Sequence, residues 1–532
     1  MKKVLFLAVI FTTLSFSFFF GTKIAFAAAP DFIVGPAKNE ITIKAGETQK
    51  ISFALINRLG KDTTFSLSTG ALITDKDGNL VPSSETMNEV VSLPGKVFVK
   101  NGATKIVEGT VALKKNVDLE TKAFGIFVEP TKNGGDEIVS HSRAQIINII
   151  NNSSSGIQSG ALKTFEISDH RIFRMDDIAP LSVSFSNLGT KYLNPYGIVV
   201  VKNIFGREVS AQKIDPWYVM PNSTRTREIT ISTDKFFGRY TATLSLNRGY
   251  GDLVDTKTIS FYVIPFWFPI ILVVLLTVIF FWFSKKGFFR GALVVALLLV
   301  GVVNAHAQMS SGNYKVQFDS VNFGGGLSSS TSYKQESTFG EVATGEIASA
   351  NYNVHAGYQQ MNEVFLSIST PADVTLSPNL GDISGGTSDG STVVTVATDG
   401  AAGYSLYVNA STSPALASGT DSFTDYVPGG AVPDFSFTFL NNQSFFGFSP
   451  EGADITSNFK DNGVTCGAGA LDAVGACWDG FATSIKQVAL RTSANTPSGT
   501  NTTLKLRAGA GASRNQQAGN YSGDITFTAT AL

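Results

Sequence analysis

This chain of 532 residues is poor in the groups that carry out chemistry. Histidine occurs four times, cysteine twice, and charged residues make up only 16%. His141, His170, His306 and His355 stand apart, at no metal-ligand spacing. No G-x-S-x-G, P-loop or dinucleotide fingerprint occurs. No metal, cofactor or catalytic residue is therefore assigned, and an enzyme is not expected. Cys466 and Cys477 have no flanking histidine, which argues against a thiol nucleophile. In an exported chain they are expected to pair, closing a Gly/Ala-rich loop. Asp169-His170 beside Arg171 reads as a solvated edge rather than a dyad. The formal net charge is −1 and no block is strongly basic, so nucleic acid is not expected as a partner.

What is abundant points to β-structure. The chain has 51 Gly, 41 Phe and 14 Tyr, a mix suited to β-sandwiches and membrane segments rather than helical enzymes. Charge is unevenly placed. Residues 31–263 hold 27 Lys+Arg and 24 Asp+Glu, net +3, whereas residues 309–532 hold 8 and 18, net −10. These opposite signs permit a weak mutual attraction.

Two export signals sit in the one chain. In the first, Lys2-Lys3 precede an apolar run and Ala25-Phe26-Ala27, predicting a signal peptide over 1–27. The second lies at 284–307: Lys285, Lys286 and Arg290, then an apolar run, then Ala305-His306-Ala307. Both end in A-x-A, with Ala25 and Ala27, and Ala305 and Ala307, as cleavage-site residues. Between them the uncharged run Ile264–Phe283 is long enough to span a bilayer, with Trp267 and Trp282 near its ends. The basic residues after it, Lys285 and Lys286, place that loop in the cytoplasm and residues 31–263 outside. The second apolar run returns the chain outward. Cleavage after Ala307 leaves an anchored protein and a separate secreted one; without cleavage the chain is a two-span hairpin with two ectodomains. A read-through joining two neighbouring genes is the further alternative.

Strand patterning organises the exported parts. Apolar alternation on both sides of Ala45-Gly46-Glu47 predicts a hairpin or strand–turn–strand over 41–57. Further strands are expected up to residue 150, giving a sandwich over 31–150. Asp75-Lys76-Asp77-Gly78-Asn79 reads as a turn, since a calcium loop would require a downstream Glu. Asn151–Gly156 is a linker. Strands at 181–188, 197–202, 227–233, 240–246 and 257–263 predict a second Ig-like sandwich over 160–263. Ile43-Lys44-Ala45-Gly46-Glu47, Asn57, Phe185-Ser186-Asn187-Leu188-Gly189, Met220-Pro221-Asn222-Ser223 and Gly238-Arg239-Tyr240 carry a resemblance. Together with the order of segments, they make residues 31–283 resemble the WxL-interacting proteins of bacterial surfaces. That resemblance implies two Ig-like domains and a C-terminal span, with peptidoglycan contact by the first domain and protein contact by the second.

The last part begins with a repeat over 309–360: Tyr314, Tyr333 and Tyr352 recur at an even step of 19. Residues 361–532 read as a β-sandwich-like module. A hairpin is expected about 398–403, with closing strands at 488–491, 502–507 and 524–530. Its terminal segment resembles WxL-type or pilin-like surface modules, without the Trp-x-Leu motif. Phe445-Phe446 and Trp478 read as core, with glycan stacking the alternative. The whole is expected to be mainly β: tandem Ig-like sandwiches, one transmembrane helix, a second signal-like apolar helix and a β-rich C-terminal module. The function expected is that of a non-catalytic cell-surface protein, held at the membrane and contacting cell wall or a protein partner, and displaying its secreted module. A structural subunit of a surface layer or fibre is the alternative, with self-association.

Overall fold

A computed structural model describes residues 30–265 and 364–532, less short internal stretches, and the strands of two hairpins between 324 and 356. Among the described residues the one helical element is a 3-10 turn, Ser457–Phe459, and no helix is long and apolar enough to cross a membrane. The cleavage residues Ala25, Ala27, Ala305 and Ala307 lie outside the described residues. So do Trp267, Trp282, Lys285, Lys286, the second apolar run, Tyr314, Tyr333, Tyr352 and the Asp169-His170 pair. The expected span loses its first two residues to a strand. Ile264 and Pro265 extend the final strand of the second domain, because the parallel ladder to Phe173 and Arg174 captures them.

The strands used below run as follows. The N-terminal domain has β1 Asp31–Gly35, β2 Lys38–Ile43, β3 Thr48–Arg58, β4 Thr63–Thr74, β5 Thr104–Ala112, β6 Lys122–Pro130 and β7 Ile138–Asn152. The second domain has β8 Gly160–Ile167, β9 Ile178–Asn187, β10 Tyr196–Lys202, β11 Glu208–Ile214, β12 Ser223–Ser232, β13 Gly238–Asn247 and β14 Val254–Pro265. The C-terminal module has β15 Leu366–Ser369, β16 Gly386–Thr398, β17 Tyr404–Ala410, β18 Ser444–Glu451, β19 Lys486–Arg491, β20 Thr500–Ala510 and β21 Gly523–Ala531.

Period-2 burial explains why these segments are strands. In β3 the buried positions Ile51, Phe53, Leu55 and Asn57 alternate with residues facing outward. The turn at Gly46, with φ +87°, does join β2 to β3. The two do not pair, however: β2 lies beside β7 and β3 between β1 and β5, so the segment arches between two sheets. The expected hairpin about 398–403 is likewise an arch. β16 pairs with β15 and β20, and β17 with β19 and β21. Gly403 makes the sharp return, since its φ is +82° and a Cβ would stand 2.0 Å from the Arg491 carbonyl. In both cases a residue pattern that fits a hairpin also fits a sandwich corner.

The sheets cross the boundary between the N-terminal domain and the C-terminal module. One runs in the order β18-β20-β16-β15-β1-β3-β5, the other β19-β17-β21-β7-β6-β4. One hydrophobic cluster fills both, from Phe32, Phe65 and Val128 to Ile368, Phe448, Leu504 and Phe527. The Phe32 and Phe65 rings lie 5.3 Å apart. Each fully buried ring stabilises by roughly 2–3 kcal/mol. Residues 31–150 and 361–532 are thus packed into one another, where the sequence suggested two separate ectodomains.

The second domain is a sandwich with its own core: sheet β8-β9-β12 faces sheet β14-β13-β10-β11 around Phe165, Phe185, Trp217 and Tyr240. It joins the first through Tyr218, Met220, Ile147 and Phe127. A polar clasp supports that joint: Glu40 accepts hydrogen bonds from Tyr192 Oη at 2.6 Å and Asn194 Nδ2 at 2.9 Å.

Candidate functional site

The site is a seam rather than a cleft, and β7 builds it. This strand is 15 residues long, well beyond the usual five or six. Its second half belongs to the N-terminal domain: 146–150 pair antiparallel with β6, and 147–152 parallel with β2. Its first half leaves that domain. Residues 138–145 pair in parallel with β21, from Ile138 against Gly523 to Gln145 against Thr530.

The other edge of this first half is also held by the C-terminal module. Ile138 and Val374 exchange backbone hydrogen bonds of 3.1 and 2.9 Å. Ser140 N–H donates to Asp373 Oδ1 at 3.0 Å. Lys132 Nζ donates to the same carboxylate at 2.9 Å, to the Pro371 carbonyl at 3.0 Å and to the Ser140 carbonyl at 2.6 Å. The start of the strand, 138–140, therefore lies in a slot between β21 and the 371–374 stretch that follows β15. Without it, both walls of the slot would expose backbone donors, acceptors and the core beneath. A second ladder doubles the attachment: β1 pairs antiparallel with β15, from Asp31 against Ser369 to Val34 against Leu366. Asp31 accepts from Arg58 Nε at 2.8 Å on its own side and from Ser367 Oγ across the boundary.

The strand's two faces differ. Ile138, Ala144 and Ile146 point into the shared core and are 0–2% exposed. Between them Ser140 and Ser142 are 0% and 1% exposed, and their hydroxyls have no partner. On the opposite face His141 Nδ1 lies 3.0 Å from Glu129 Oε1, and Nε2 lies 3.7 Å from Asp524 Oδ1 of β21. The Glu129 carboxylate, aided by Asp524, raises the imidazole pKa against the opposing effect of burial. Burial works against the charged Glu129, but His141 and Arg143 hold its carboxyl below the usual range. Asp373 is also held low: the Ser140 N–H and Lys132 outweigh its desolvation. Two ionic contacts, Lys132–Asp373 and His141–Asp524, thus run from the N-terminal domain to the acidic module.

The remaining sequence-predicted residues lie elsewhere. Cys466 and Cys477 are joined in a disulfide, with Cα atoms 5.6 Å apart, remote from the seam in sequence. Phe446 and Trp478 are buried, at 0% and 1% exposure, and Arg507 sits 4.7 Å above the Trp478 ring. These two rings are core, and the glycan-stacking alternative is set aside for them. Among the described residues no group of three or more His, Cys, Asp or Glu is placed to hold a metal. Sequence reading placed a strand at 144–150 and stopped short of its first half. The apolar–small alternation of Ile138, Ser140, Ser142 and Ala144 carried the signal, weakened by the two serines.

Comparison with known proteins adds little beyond this geometry. No protein-family model and no curated protein matches the chain, so the WxL-interacting resemblance rests on its quoted motifs alone. Among solved structures, the class 5 fimbriae chaperone CfaA is similar at 11% identity and a TM-score of 0.25, over 44% of this chain and 99% of that one. The CsuC–CsuE chaperone–tip subunit pre-assembly complex of Acinetobacter baumannii is similar at 14% identity and a TM-score of 0.22, again over 44% and 99%. A PapD-like domain of human CEP192 is similar at 13% identity and a TM-score of 0.18, over 25% and 94%. Such scores do not establish a shared function, and the seam stands on its own hydrogen bonds.

Proposed function

We propose that the two N-terminal domains are a holder that lends strand β7 to the C-terminal module, in a non-catalytic, surface or fibre-related role. The observation that carries this is the slot. Residues 138–145 pair with β21 of the module along one edge, and Ile138 and Ser140 are also held by its 371–374 stretch along the other, while 146–152 remain in the holder's own sheet. Strand addition of this kind takes affinity from the backbone and selectivity from alternate side chains, the mode by which strand-donating chaperones cover incomplete subunits. The reading keeps residues 266–283 as the membrane anchor of the holder and Ala307 as the point of processing. Wall contact is no part of it.

The same geometry supports a fibre subunit as the module's destiny. A slot filled by a strand from elsewhere accepts, once emptied, a strand from another copy. Making residues 309–532 alone, and together with residues 28–263 on a separate chain, tests the reading. Co-production should yield a soluble one-to-one complex, and the module alone should aggregate or polymerise. A module that is monomeric and equally heat-stable by itself would refute the lent strand.

A further inference from the structure

One end of the second domain presents apolar side chains that its own fold does not cover. The connection from β10 to β11 is a tight hairpin, in which Asn203 Oδ1 accepts from the N–H groups of Phe205 and Arg207, each at 3.1 Å. Asn203 N–H donates to the Arg207 carbonyl at 2.9 Å, and Gly206 takes φ +74°. The turn is thus fixed, and at its tip it holds Ile204 63% exposed and Phe205 81% exposed. Tyr262, 63% exposed, stands on β14 at the same end. The ladders fix that placement: Lys202 faces Thr241 near the start of β13, and Gly238 faces Val263 near the end of β14. A Cβ at Gly238 would meet Ile204 Cγ2 at 3.6 Å, so the hairpin lies directly over this corner.

The chain leaves the domain at that corner. The described strand stops at Pro265, and the sequence continues without a charge to Phe283. The tip residue Ile204 lies against Gly238, which faces Val263, two residues or about 7 Å along a strand from Pro265, with Tyr262 one residue farther. The interfacial zone on each side of a bilayer's hydrocarbon core is about 5–8 Å deep. A rigid aromatic-tipped turn at this distance from the start of a span falls within reach of the interface, the zone that Tyr and other amphipathic rings prefer. Exposed Lys202 and Arg207 flank the tip, which suits the headgroup layer.

We infer that Ile204, Phe205 and Tyr262 dip into the interface of the bilayer that holds residues 266–283, fixing the tilt of the second domain on the membrane. The inference rests on the anchor reading above. It is tested on the full chain in vesicles of phosphatidylethanolamine and phosphatidylglycerol with brominated acyl chains. Single cysteines for a fluorescent label are placed by Phe205→Cys, Lys213→Cys and Leu275→Cys; the native pair is bridged and does not react. Lys213 lies at the far end of β11, about 20 Å from the tip. Quenching at 205 several-fold greater than at 213, with 275 also quenched, is the expected result. Quenching at 275 with 205 no different from 213 overturns the inference and leaves the anchor standing. A label at 275 that is not quenched removes the anchor and the inference with it, whatever position 205 shows.

Discussion

Ile138→Ala separates the lent strand from an ordinary domain contact. Ile138 opens β7, is 2% exposed, and lies at the wall of a cavity of about 390 Å³ lined by Val374, Leu376, Phe423 and Ala508. All four belong to the C-terminal module. Truncating a buried Ile to Ala costs about 2–5 kcal/mol, depending on how much new void is enclosed. Here the missing carbons border a groove that water can enter, so no sealed void forms and the cost falls in the lower part, about 2–3 kcal/mol. That corresponds to a loss of affinity of about 30- to 150-fold between separately made halves. The holder's own stability should not move, because its sheet begins at Ile146, eight residues away. The assay is titration of residues 309–532 against residues 28–263 carrying the substitution, with thermal melting of the holder alone. A holder that melts lower while the affinity stays unchanged would refute the division of β7 into a lent half and a kept half.

Three further outcomes follow from the same seam and its module. Ser142→Ala removes a buried hydroxyl without a partner, so it should tighten the pair by roughly 1 kcal/mol, read as slower dissociation. His141 has a raised pKa in the fold, so its contribution is complete below the ordinary value near 6.5 and fades as pH climbs through the raised one. Glu129, the main cause, lies in the holder itself, so the holder should melt higher at about pH 6 than at about pH 8.5, with only the weaker Asp524 contribution passing to the affinity, and His141→Gln should flatten the difference. Glu129 and Asp373 are held low, so their contributions fade only under acid conditions, outside this window. Replacing Cys466 and Cys477 by Ala opens a short loop and should lower module stability by roughly 2–3 kcal/mol on the chain-entropy model, seen as an earlier melt, with the affinity for the holder little changed.

Much of the strand content was legible because sandwich strands announce themselves by alternation. The closing strands at 488–491, 502–507 and 524–530 fall within β19, β20 and β21. Pairing was not legible. Alternation says which residues face a core, not whose core it is. Ile41–Asn57 and Thr392–Asn409 each contain two good strands and a Gly turn, yet each crosses between sheets. The start of β7 was obscured for a physical reason: Ser140 and Ser142 occupy buried positions where an isolated domain would place Val or Ile. Phe446 and Trp478 had two readings until burial decided between them. Isolated charge sums suggested only weak attraction, whereas the fold concentrates it in Lys132–Asp373 and His141–Asp524.

The seam also constrains how the chain would meet a membrane. Strands β7 and β21 cannot pair unless the holder and the module stand on the same side of it. A single span at 266–283 would put them on opposite sides. On the proposed anchor reading, the second apolar run, after Lys285, Lys286 and Arg290, would supply a return crossing. In the proposed arrangement, processing after Ala307 would cut the chain outside the described residues. The shared core and the two inter-domain ladders stay intact, so the two products should remain bound in a one-to-one ratio. The opposite charges of the two parts would then assist recapture of any module that dissociates close to its anchored holder. On the proposed reading, the module's slot would stay filled by β7 after cleavage until another strand displaces it.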